Sequence, residues 1–323
     1  MTLKMQWKVP QSAQPRAHDF SFDLDRTLAS VVGIHSIIPN DAFTAETLGT
    51  ERAGNGVLID RGLILTIGYL ITEAQTSWLH MSDGKVVEGY PLGFDPESGF
   101  GLVQALGPID LEPVEIGVSN DLATGDRVIV GGLGGCAGAV AAEVVAKREF
   151  AGYWEYLLDE ALFTAPSHPN WGGTALLSER GHLAGVGSLQ LETDQQGVAK
   201  HLNMIVPIDL LKPVLDDLRK FGRVNKPARP WLGMFSSEID NAVVAIGFSP
   251  NGPAMRSGMM VGDTIVAVDG ERVGSQADFY RKVWSLGSAG VEVPLTLRRD
   301  RREVDVALTS ADWASFLKKP RMH

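Results

Sequence analysis

The sequence has a single cysteine and no long apolar run, and both absences exclude whole classes of protein. Cys136 is the only cysteine among 323 residues, so an intrachain disulfide and a cysteine-rich metal site are both excluded. The most apolar run, residues 63–71, has about half the length that a membrane-spanning helix needs. We therefore predict no membrane span and no disulfide-stabilised fold.

Positive charge is scarce relative to negative charge. Lys and Arg together number 29 against 39 Asp and Glu, which gives a formal net charge of −10. A chain of this charge repels the phosphates of a nucleic acid. The one basic cluster surrounds Asp300, with Arg298, Arg299, Arg301 and Arg302 beside it, and lies between two apolar runs. We interpret it as a solvent-exposed hairpin tip and expect no nucleic-acid partner.

Signals for metals, nucleotides and secretion are also missing. His35, His80, His182 and His201 are isolated and show no metal-ligand spacing. The glycine-rich stretch at 131–138 lacks the lysine of a phosphate-binding loop. The first residues are polar, without the apolar core of a secretory signal. We expect no metal and no cofactor and, if the first methionine is the natural start, a cytoplasmic protein.

What the sequence has in abundance is short β-branched runs separated by turns. Its 36 glycines and 17 prolines are spread among two successive groups of about six predicted strands each, which is typical of paired antiparallel barrels or a sandwich. Before them, Phe20, Phe22 and Leu24 alternate with polar residues, as in a short strand or docking arm. The length of the chain indicates two or three compact units.

Two segments have the pattern of helices. In the first, Leu211, Val214 and Leu218 recur at helical spacing, and Gly222 is the predicted C-cap. Pro213 lies inside this pattern and is expected to bend the helix.

The second helix is predicted to begin at about Gln276. Ser275 and Asp278 form a capping box there, and Phe279 and Val283 belong to its apolar face.

Four short motifs occur in the order of a known family. They are G-N-G-V-L-I-D at 54–60, I-L-T-I-G-Y at 64–69, G-F-G-L-V at 99–103 and S-H-P-N-W-G-G at 167–173. The helix that begins V-P-I-D-L-L at 206 follows them. Together they resemble the HtrA/Deg group of trypsin-like serine proteases with one PDZ domain. The resemblance covers about residues 29–310 and implies a mainly β fold, with a trypsin-like double antiparallel β-barrel followed by a PDZ domain.

The resemblance also implies the division of the chain. The predicted segments are an N-terminal arm at 1–24, the double β-barrel with its C-terminal helix at 25–222, a linker at 223–229, the PDZ domain at 230–310 and a C-terminal tail at 311–323.

The positions that carry catalysis in this family hold other residues here. Serine, histidine and aspartate are replaced by Trp171, Tyr69 and Gly99. An indole has no nucleophilic atom, a phenol with a pKa of about 10 is a poor base at neutral pH, and glycine orients nothing. Pro169 stands where the family uses a second oxyanion N–H, and proline has none. We therefore predict a non-catalytic pseudoprotease.

Alternatives to this hypothesis remain open. An active serine endopeptidase could use a rebuilt site, although Ser167 and His168 are adjacent and project to opposite sides of an extended backbone. A regulatory subunit of an active homologue is another possibility, because the family forms trimers through its barrel domains. Trp171 could fill the vacated cleft or provide an aromatic platform for a peptide.

The PDZ-like segment keeps the family's binding motifs. W-L-G-M at 231–234 fits the carboxylate-binding loop, and G-D-T-I-V-A-V-D-G at 262–270 fits a second family stretch. The implied peptide-binding residues are Trp231, Leu232, Gly233 and Met234 in the loop and Phe279, Tyr280 and Val283 on the helix. We expect protein C-termini or extended peptides to bind there, with occlusion of the loop by the barrel domain as the alternative.

Overall fold

A computed structural model describes residues 9–195 and 198–318. In it the chain folds into two compact units. The first unit runs to Arg148, resumes over Glu160–Val224 and includes Lys318. The second unit comprises Glu149–Asp159 and Asn225–Leu317. Residues 1–8 of the predicted arm and 319–323 of the predicted tail lie outside the described residues.

The first unit contains two closed antiparallel barrels, which agrees with the predicted mainly β fold. In the first barrel the strand order is β1-β2-β3-β6-β5-β4. Its strands are β1 (Val31–Ile37), β2 (Glu51–Asp60), β3 (Leu63–Ile67), β4 (Thr76–His80), β5 (Val86–Phe94) and β6 (Phe100–Ala105). Val57, Ile64, Leu65 and Leu102 are fully buried, because inward-facing residues of closed strands fill the barrel interior.

The second barrel repeats this arrangement with the strand order β10-β11-β12-β9-β8-β7. Its strands are β7 (Arg127–Gly131), β8 (Ala139–Gly152), β9 (Tyr156–Ala165), β10 (Ala175–Leu177), β11 (Leu183–Gln195) and β12 (Val198–Pro207). Val130, Leu162, Leu176 and Ile205 belong to its core, which Val9 from the N-terminal arm also joins.

The helical segments of the first unit are short. They are the α-helices α1 (Leu24–Ala29), α2 (Ala45–Leu48) and α3 (Leu215–Phe221) and 3₁₀ turns at Gln11–Ala13, Ala17–Asp19, Gly68–Leu70, Ser119–Asp121, Gly135–Gly138 and Ile208–Leu210. No helix among the described residues is long and apolar enough to span a membrane.

Two secondary-structure predictions need correction. Of the two interpretations of Phe20–Leu24, a short strand or a docking arm, the strand is wrong: Asp23 accepts a hydrogen bond from the Arg26 N–H and caps helix α1 at this point. The helix predicted around Pro213 is divided into a 3₁₀ turn and the later helix α3, because proline has no N–H to donate. Gly222 ends α3 with a φ of +69°, as predicted for a C-cap.

The second unit is a six-stranded sheet with two short α-helices. The sheet has the order β13-β14-β15-β17-β18, with β16 paired to β15. Its strands are β13 (Met234–Ile239), β14 (Ala242–Phe248), β15 (Thr264–Val268), β16 (Glu271–Arg272), β17 (Glu292–Arg299) and β18 (Arg302–Thr309), and its helices are α4 (Pro253–Arg256) and α5 (Gln276–Ser285), with a 3₁₀ turn at Trp313–Phe316.

Local signals predicted two features of this unit correctly. The Ser275 hydroxyl accepts a hydrogen bond from the Asp278 N–H at 3.0 Å and caps α5. Asp300 and Arg301 have positive φ values and form the turn between β17 and β18, so the basic cluster is a hairpin tip.

The boundary between the units differs from the sequence-based one. The hairpin tip at Glu149–Asp159 belongs to the second unit, although the sequence places it in the middle of the barrel segment. The cause is packing: Leu157 of this tip lies in the same buried cluster as Leu232, Met234 and Val283. Long-range contacts of this kind leave no periodic signal in the sequence.

Candidate functional site

The cleft motifs meet in the first unit. Tyr69 lies in the 3₁₀ turn after β3, and Gly99 lies in the turn between β5 and β6. The Gly68 N–H donates to the Gly99 carbonyl at 2.7 Å, so these two turns touch. Trp171 comes from the turn before β10. The structure therefore brings together the three positions that the family resemblance assigned to base, acid and nucleophile.

Trp171 and Tyr69 are joined directly to each other. Their side chains form a hydrogen bond in which the indole must be the donor, because it has no acceptor atom. The Tyr69 hydroxyl in turn donates to the Ser188 carbonyl at 2.9 Å. Burial raises the pKa of Tyr69 well above its usual value of 10, against the opposing effect of Trp171. The phenol is therefore protonated and already engaged at physiological pH.

Asn55 holds the turn that carries Trp171. Its fully buried side chain donates to the Asn170 carbonyl at 2.9 Å and to the Gly172 carbonyl at 3.2 Å. Its amide oxygen accepts from the Leu133 N–H at 2.9 Å. Sequence reasoning missed this residue, although a lone asparagine within the apolar run of β2 was a usable signal.

Gly173 fits this turn because it lacks a side chain. Its φ is +75°, and a Cβ atom would lie only 1.8 Å from the Asn55 carbonyl oxygen. Close approach and positive φ both favour glycine at this position. The turn is consequently held from two sides, by the Asn55 amide and by its backbone.

His168 has a structural environment. Its ring Nε2 lies 2.8 Å from the Gly138 carbonyl oxygen, and its Nδ1 accepts from the Asn170 N–H at 3.1 Å. These partners assign the proton to Nε2. Burial lowers the pKa of the imidazole, so the ring is neutral at pH 7.

Ser167 has no hydrogen bond to His168 among the described residues. Its hydroxyl is contacted by the Gln190 amide nitrogen at 3.1 Å. The two residues that a rebuilt hydrolase would use thus have separate partners. Pro169, between His168 and Asn170, has no N–H, and the Asn170 N–H is directed at the imidazole ring.

Gly99 occupies a tight turn. Its φ is +85°, and its N–H donates to the Asp95 carbonyl at 2.8 Å. The Asp95 carboxylate accepts from the N–H groups of Glu97 and Ser98, so it stabilises the same turn. Gly99 therefore allows the backbone to form this turn and carries no side chain that could orient a base.

The loop at 231–234 in the second unit has the geometry of a carboxylate-binding site. Trp231 exchanges backbone hydrogen bonds with Ala311, and its ring packs on Phe316. Leu232 and Met234 bury their side chains in the core. Gly233, with φ +70°, turns the backbone between them, so that the N–H groups of Leu232 and Met234 converge on one carboxylate.

A carboxylate of the same chain lies in this loop. Glu155 accepts from the Leu232 N–H at 2.9 Å through Oε2 and from the Met234 N–H at 3.0 Å through Oε1. Burial raises its pKa to about 7, although these N–H groups and that of Gly233 act in the opposite direction. The N–H groups of the predicted carboxylate-binding loop therefore already bind a carboxylate of the same chain.

The helix residues differ in what they contribute. Tyr280 donates its hydroxyl to the Gly152 carbonyl at 2.7 Å, and Gln276 donates its amide to that hydroxyl at 2.8 Å. Gln276 was not among the predicted site residues. Phe279 and Val283 are fully buried in the cluster that includes Leu157, so a direct peptide contact for either stays a prediction.

Comparisons with known proteins agree with this architecture. Residues 54–186 match the trypsin-like peptidase domain family, and residues 230–309 match the PDZ domain family. The periplasmic serine endoprotease DegP of Escherichia coli is 25% identical over 275 residues, covering 79% of this chain. The serine endoprotease DegS of Salmonella typhimurium is 24% identical over 94% of this chain and 90% of its own length.

This chain is a homologue of the DegP and DegS proteases. It has their trypsin-like peptidase domain followed by a PDZ domain. The matched region spans only 56% of DegP from E. coli and 56% of a DegP-like endoprotease from Pseudomonas fluorescens, which is 28% identical. The chain therefore spans about half the length of these relatives.

Solved structures show the same fold for this HtrA homologue. The HtrA-type protease AlgW, solved with a decapeptide, superposes with a TM-score of 0.54 at 18% identity, covering 92% of this chain and 98% of AlgW. A serine endoprotease from Yersinia pestis gives 0.52 at 22% identity, covering 94% of this chain and 99% of that one. No group of three metal-ligating side chains occurs within residues 9–195 and 198–318.

Proposed function

We propose that this HtrA homologue is a non-catalytic pseudoprotease that binds protein C-termini or extended peptides through its PDZ groove, as a scaffold, adaptor or holdase. The observation that carries the proposal is the loop at 231–234, whose N–H groups converge on a carboxylate. Receiving a C-terminal carboxylate is what such a loop does in PDZ domains.

The cleft supports the non-catalytic part of the proposal. Acyl transfer needs a nucleophile, a base within hydrogen-bond reach and a group that orients the base. Trp171 and Tyr69 stand at the first two positions and bond to each other. A buried phenol whose pKa is raised above 10 cannot take a proton at pH 7.

A fluorophosphonate probe tests this part. We expect no covalent labelling of any serine between pH 6 and 9, with an active trypsin-like protease labelled in parallel as a positive control. A labelled serine identified by mass spectrometry would establish an active serine hydrolase and overturn the proposal.

Peptide titration tests the binding part. Fluorescent decapeptides with apolar C-terminal residues and a free carboxylate are titrated into the full chain, and their C-terminal amides serve as matched controls. Saturable binding of the acids and at least tenfold weaker binding of the amides is expected, because the amide removes the charge that the loop receives. Equal binding of both would contradict the assignment of the loop. Trimer formation, alone or with an active homologue, stays a prediction that light scattering tests.

A further inference from the structure

The hairpin tip at Glu149–Asp159 lies against the strand side of the PDZ groove. The Ser236 N–H on β13 donates to the Tyr153 carbonyl at 2.9 Å. The ring of Tyr153 meets the ring of Phe235 edge-on at 5.8 Å between centroids. Backbone pairing with an exposed edge strand is how an extended ligand adds to a sheet. The hairpin tip thus takes the place of a peptide strand beside β13.

The same tip contacts helix α5, which forms the other wall. Gly152 accepts hydrogen bonds from the Tyr280 hydroxyl at 2.7 Å and from the Gln276 amide at 3.2 Å. The Glu155 N–H lies 3.3 Å from the same hydroxyl. Leu157 adds an apolar side chain to the core cluster beneath. Both walls and the floor of the groove are therefore in contact with one segment.

The side chain of Glu155 supplies a carboxylate, the group that a bound peptide would supply with its C-terminus. A segment from the middle of a chain has no terminal carboxylate, and a glutamate side chain offers the same two acceptor oxygens. Those oxygens accept from the N–H groups of Leu232 and Met234. The tip therefore combines strand pairing, an apolar side chain and a carboxylate in one segment.

The backbone of Glu155 gives an independent indication. Its φ is +61°, at the last position of a three-residue turn between β8 and β9, where glycine or asparagine is the usual choice. For glutamate this backbone conformation is unfavourable. The turn requires this φ, so the choice of glutamate needs a separate reason, and the hydrogen bonds of its carboxylate to the loop supply one.

We infer that the hairpin tip at Glu149–Asp159 is an internal ligand of the PDZ groove, with the Glu155 carboxylate as a mimic of a peptide C-terminus. Outside ligands bind only after the tip is displaced. This inference rests on the proposed function, because it assigns a regulator to the same groove. A tethered ligand acts at a high effective concentration. The apparent affinity for outside peptides is therefore the intrinsic affinity multiplied by the fraction of molecules with an open groove.

Amide hydrogen exchange in the full chain tests the occupancy without any outside ligand. The variants are Glu155→Gly, which removes the carboxylate and suits the positive φ, and Glu155→Gln, which keeps the shape and removes the charge. Glu143→Gln on the exposed part of β8 is the control. We expect the amides of Leu232, Met234 and Ser236 to exchange about 10- to 100-fold faster in the first variant, less so in the second, and unchanged in the control.

Amides in the core of the domain serve as an internal reference, because they distinguish displacement of the tip from unfolding of the whole domain. Val293 and Leu295 lie in the core of the domain and should keep their protection when the tip leaves. Unchanged exchange of the three groove amides in both variants would overturn the inference. Equal acceleration of groove and core amides would also overturn it, because the tip would then be a fixed part of the domain.

Peptide titration of the same variants separates this inference from the proposed function. The free-carboxylate decapeptides should bind Glu155→Gly about 10- to 100-fold more tightly than the unaltered chain. Equal affinities would refute the internal ligand and leave peptide binding intact. Accelerated groove amides without any peptide binding would leave the internal ligand intact and refute the proposed function.

Discussion

The former catalytic positions of the trypsin-like domain and the 231–234 loop of the PDZ domain both bond to groups of the same chain, but these groups are held differently. In the cleft, Trp171 and Tyr69 belong to tight turns between barrel strands and bond to each other. In the groove, Glu155 stands at the tip of a hairpin, and its carboxylate accepts from the N–H groups of Leu232 and Met234. Trp171 and Tyr69 are held by tight turns on both sides, whereas Glu155 is the group that we infer to be displaceable.

Electrostatics strengthens this contrast. The cleft holds neutral donors and acceptors, while the groove holds a carboxylate that titrates near pH 7. Glu73, also at positive φ, is a useful reference, since its carboxylate accepts from the N–H groups of Phe43, Thr44 and Lys318. Burial raises the pKa of Glu73, but these hydrogen bonds outweigh it and leave the pKa lowered. For Glu155 the burial dominates.

The largest effect is expected at the cleft turn, with Gly173→Ala. The new Cβ would lie 1.8 Å from the Asn55 carbonyl oxygen at a φ of +75°, so the free energy of unfolding should fall by about 4 kcal/mol or more. Chemical denaturation measures this loss. Gly125→Ala is the control, because its φ is +96° and a Cβ meets no atom within 4 Å; it should cost about 1 kcal/mol. Equal losses would show that the cleft turn is not rigid.

The next effect concerns the bond between the two cleft side chains. Tyr69→Phe removes the hydroxyl that contacts Trp171 and Ser188, which leaves the indole N–H and the carbonyl of the buried Ser188 without that partner. We expect a loss of about 2 kcal/mol in the free energy of unfolding. Tyr90→Phe on β5, at a half-buried tyrosine, should change it by less than about 0.5 kcal/mol. A loss no larger than the control's would mean that the cleft is filled by packing alone.

A third prediction uses pH to probe the groove. With a pKa of about 7 in the groove and an ordinary value of 4.5 outside it, Glu155 takes up a proton on docking, so docking weakens as pH rises through 7. The opening equilibrium of the Leu232 and Met234 amides, corrected for intrinsic exchange, should increase about tenfold between pH 6 and pH 8.

The other titratable groups near Glu155 do not account for a change in opening between pH 6 and pH 8. The Tyr280 hydroxyl faces Glu155, and burial raises its pKa to about 12. Glu149 and Asp159 at the base of the tip pair with Arg281 on the exposed side of α5. Glu155→Gln should therefore abolish the pH dependence. A pH-dependent opening that survives in this variant would assign the effect to another group.

The smallest effect concerns that ion pair at the base of the tip. Arg281→Ala removes contacts to Glu149 and Asp159, which are exposed and should contribute less than about 1 kcal/mol to docking. We expect at most a fivefold acceleration of the Ser236 amide, and sodium chloride at about 1 M should mimic it. Lys282→Ala, whose partners are Asp278 and Glu271 of the same domain, is the matched control. A larger effect than that of Glu155→Gly would place the main anchor at Arg281.

Much of this protein could be read from local sequence signals. Short β-branched runs predicted two groups of strands, in paired barrels or a sandwich, and the family resemblance implied the barrels. The cap at Ser275 and the glycine at 222 predicted the limits of their helices, because these interactions join residues within a few positions. The motif at 167–173 placed Trp171, and the loop at 231–234 placed the carboxylate site. These features depend on neighbouring residues, and a linear pattern records them.

The contacts that fill the two sites could not be read in this way. Tyr69 and Trp171 are aligned by separate barrels, and Glu155 meets Leu232 across 77 positions of sequence. In the sequence, Glu155 is one acidic residue among aromatic ones in Y-W-E-Y, with no periodicity to distinguish it from a solvent-exposed turn. Its partners are backbone N–H groups, which carry no residue identity. The motifs therefore revealed the sites, and long-range packing supplied their occupants.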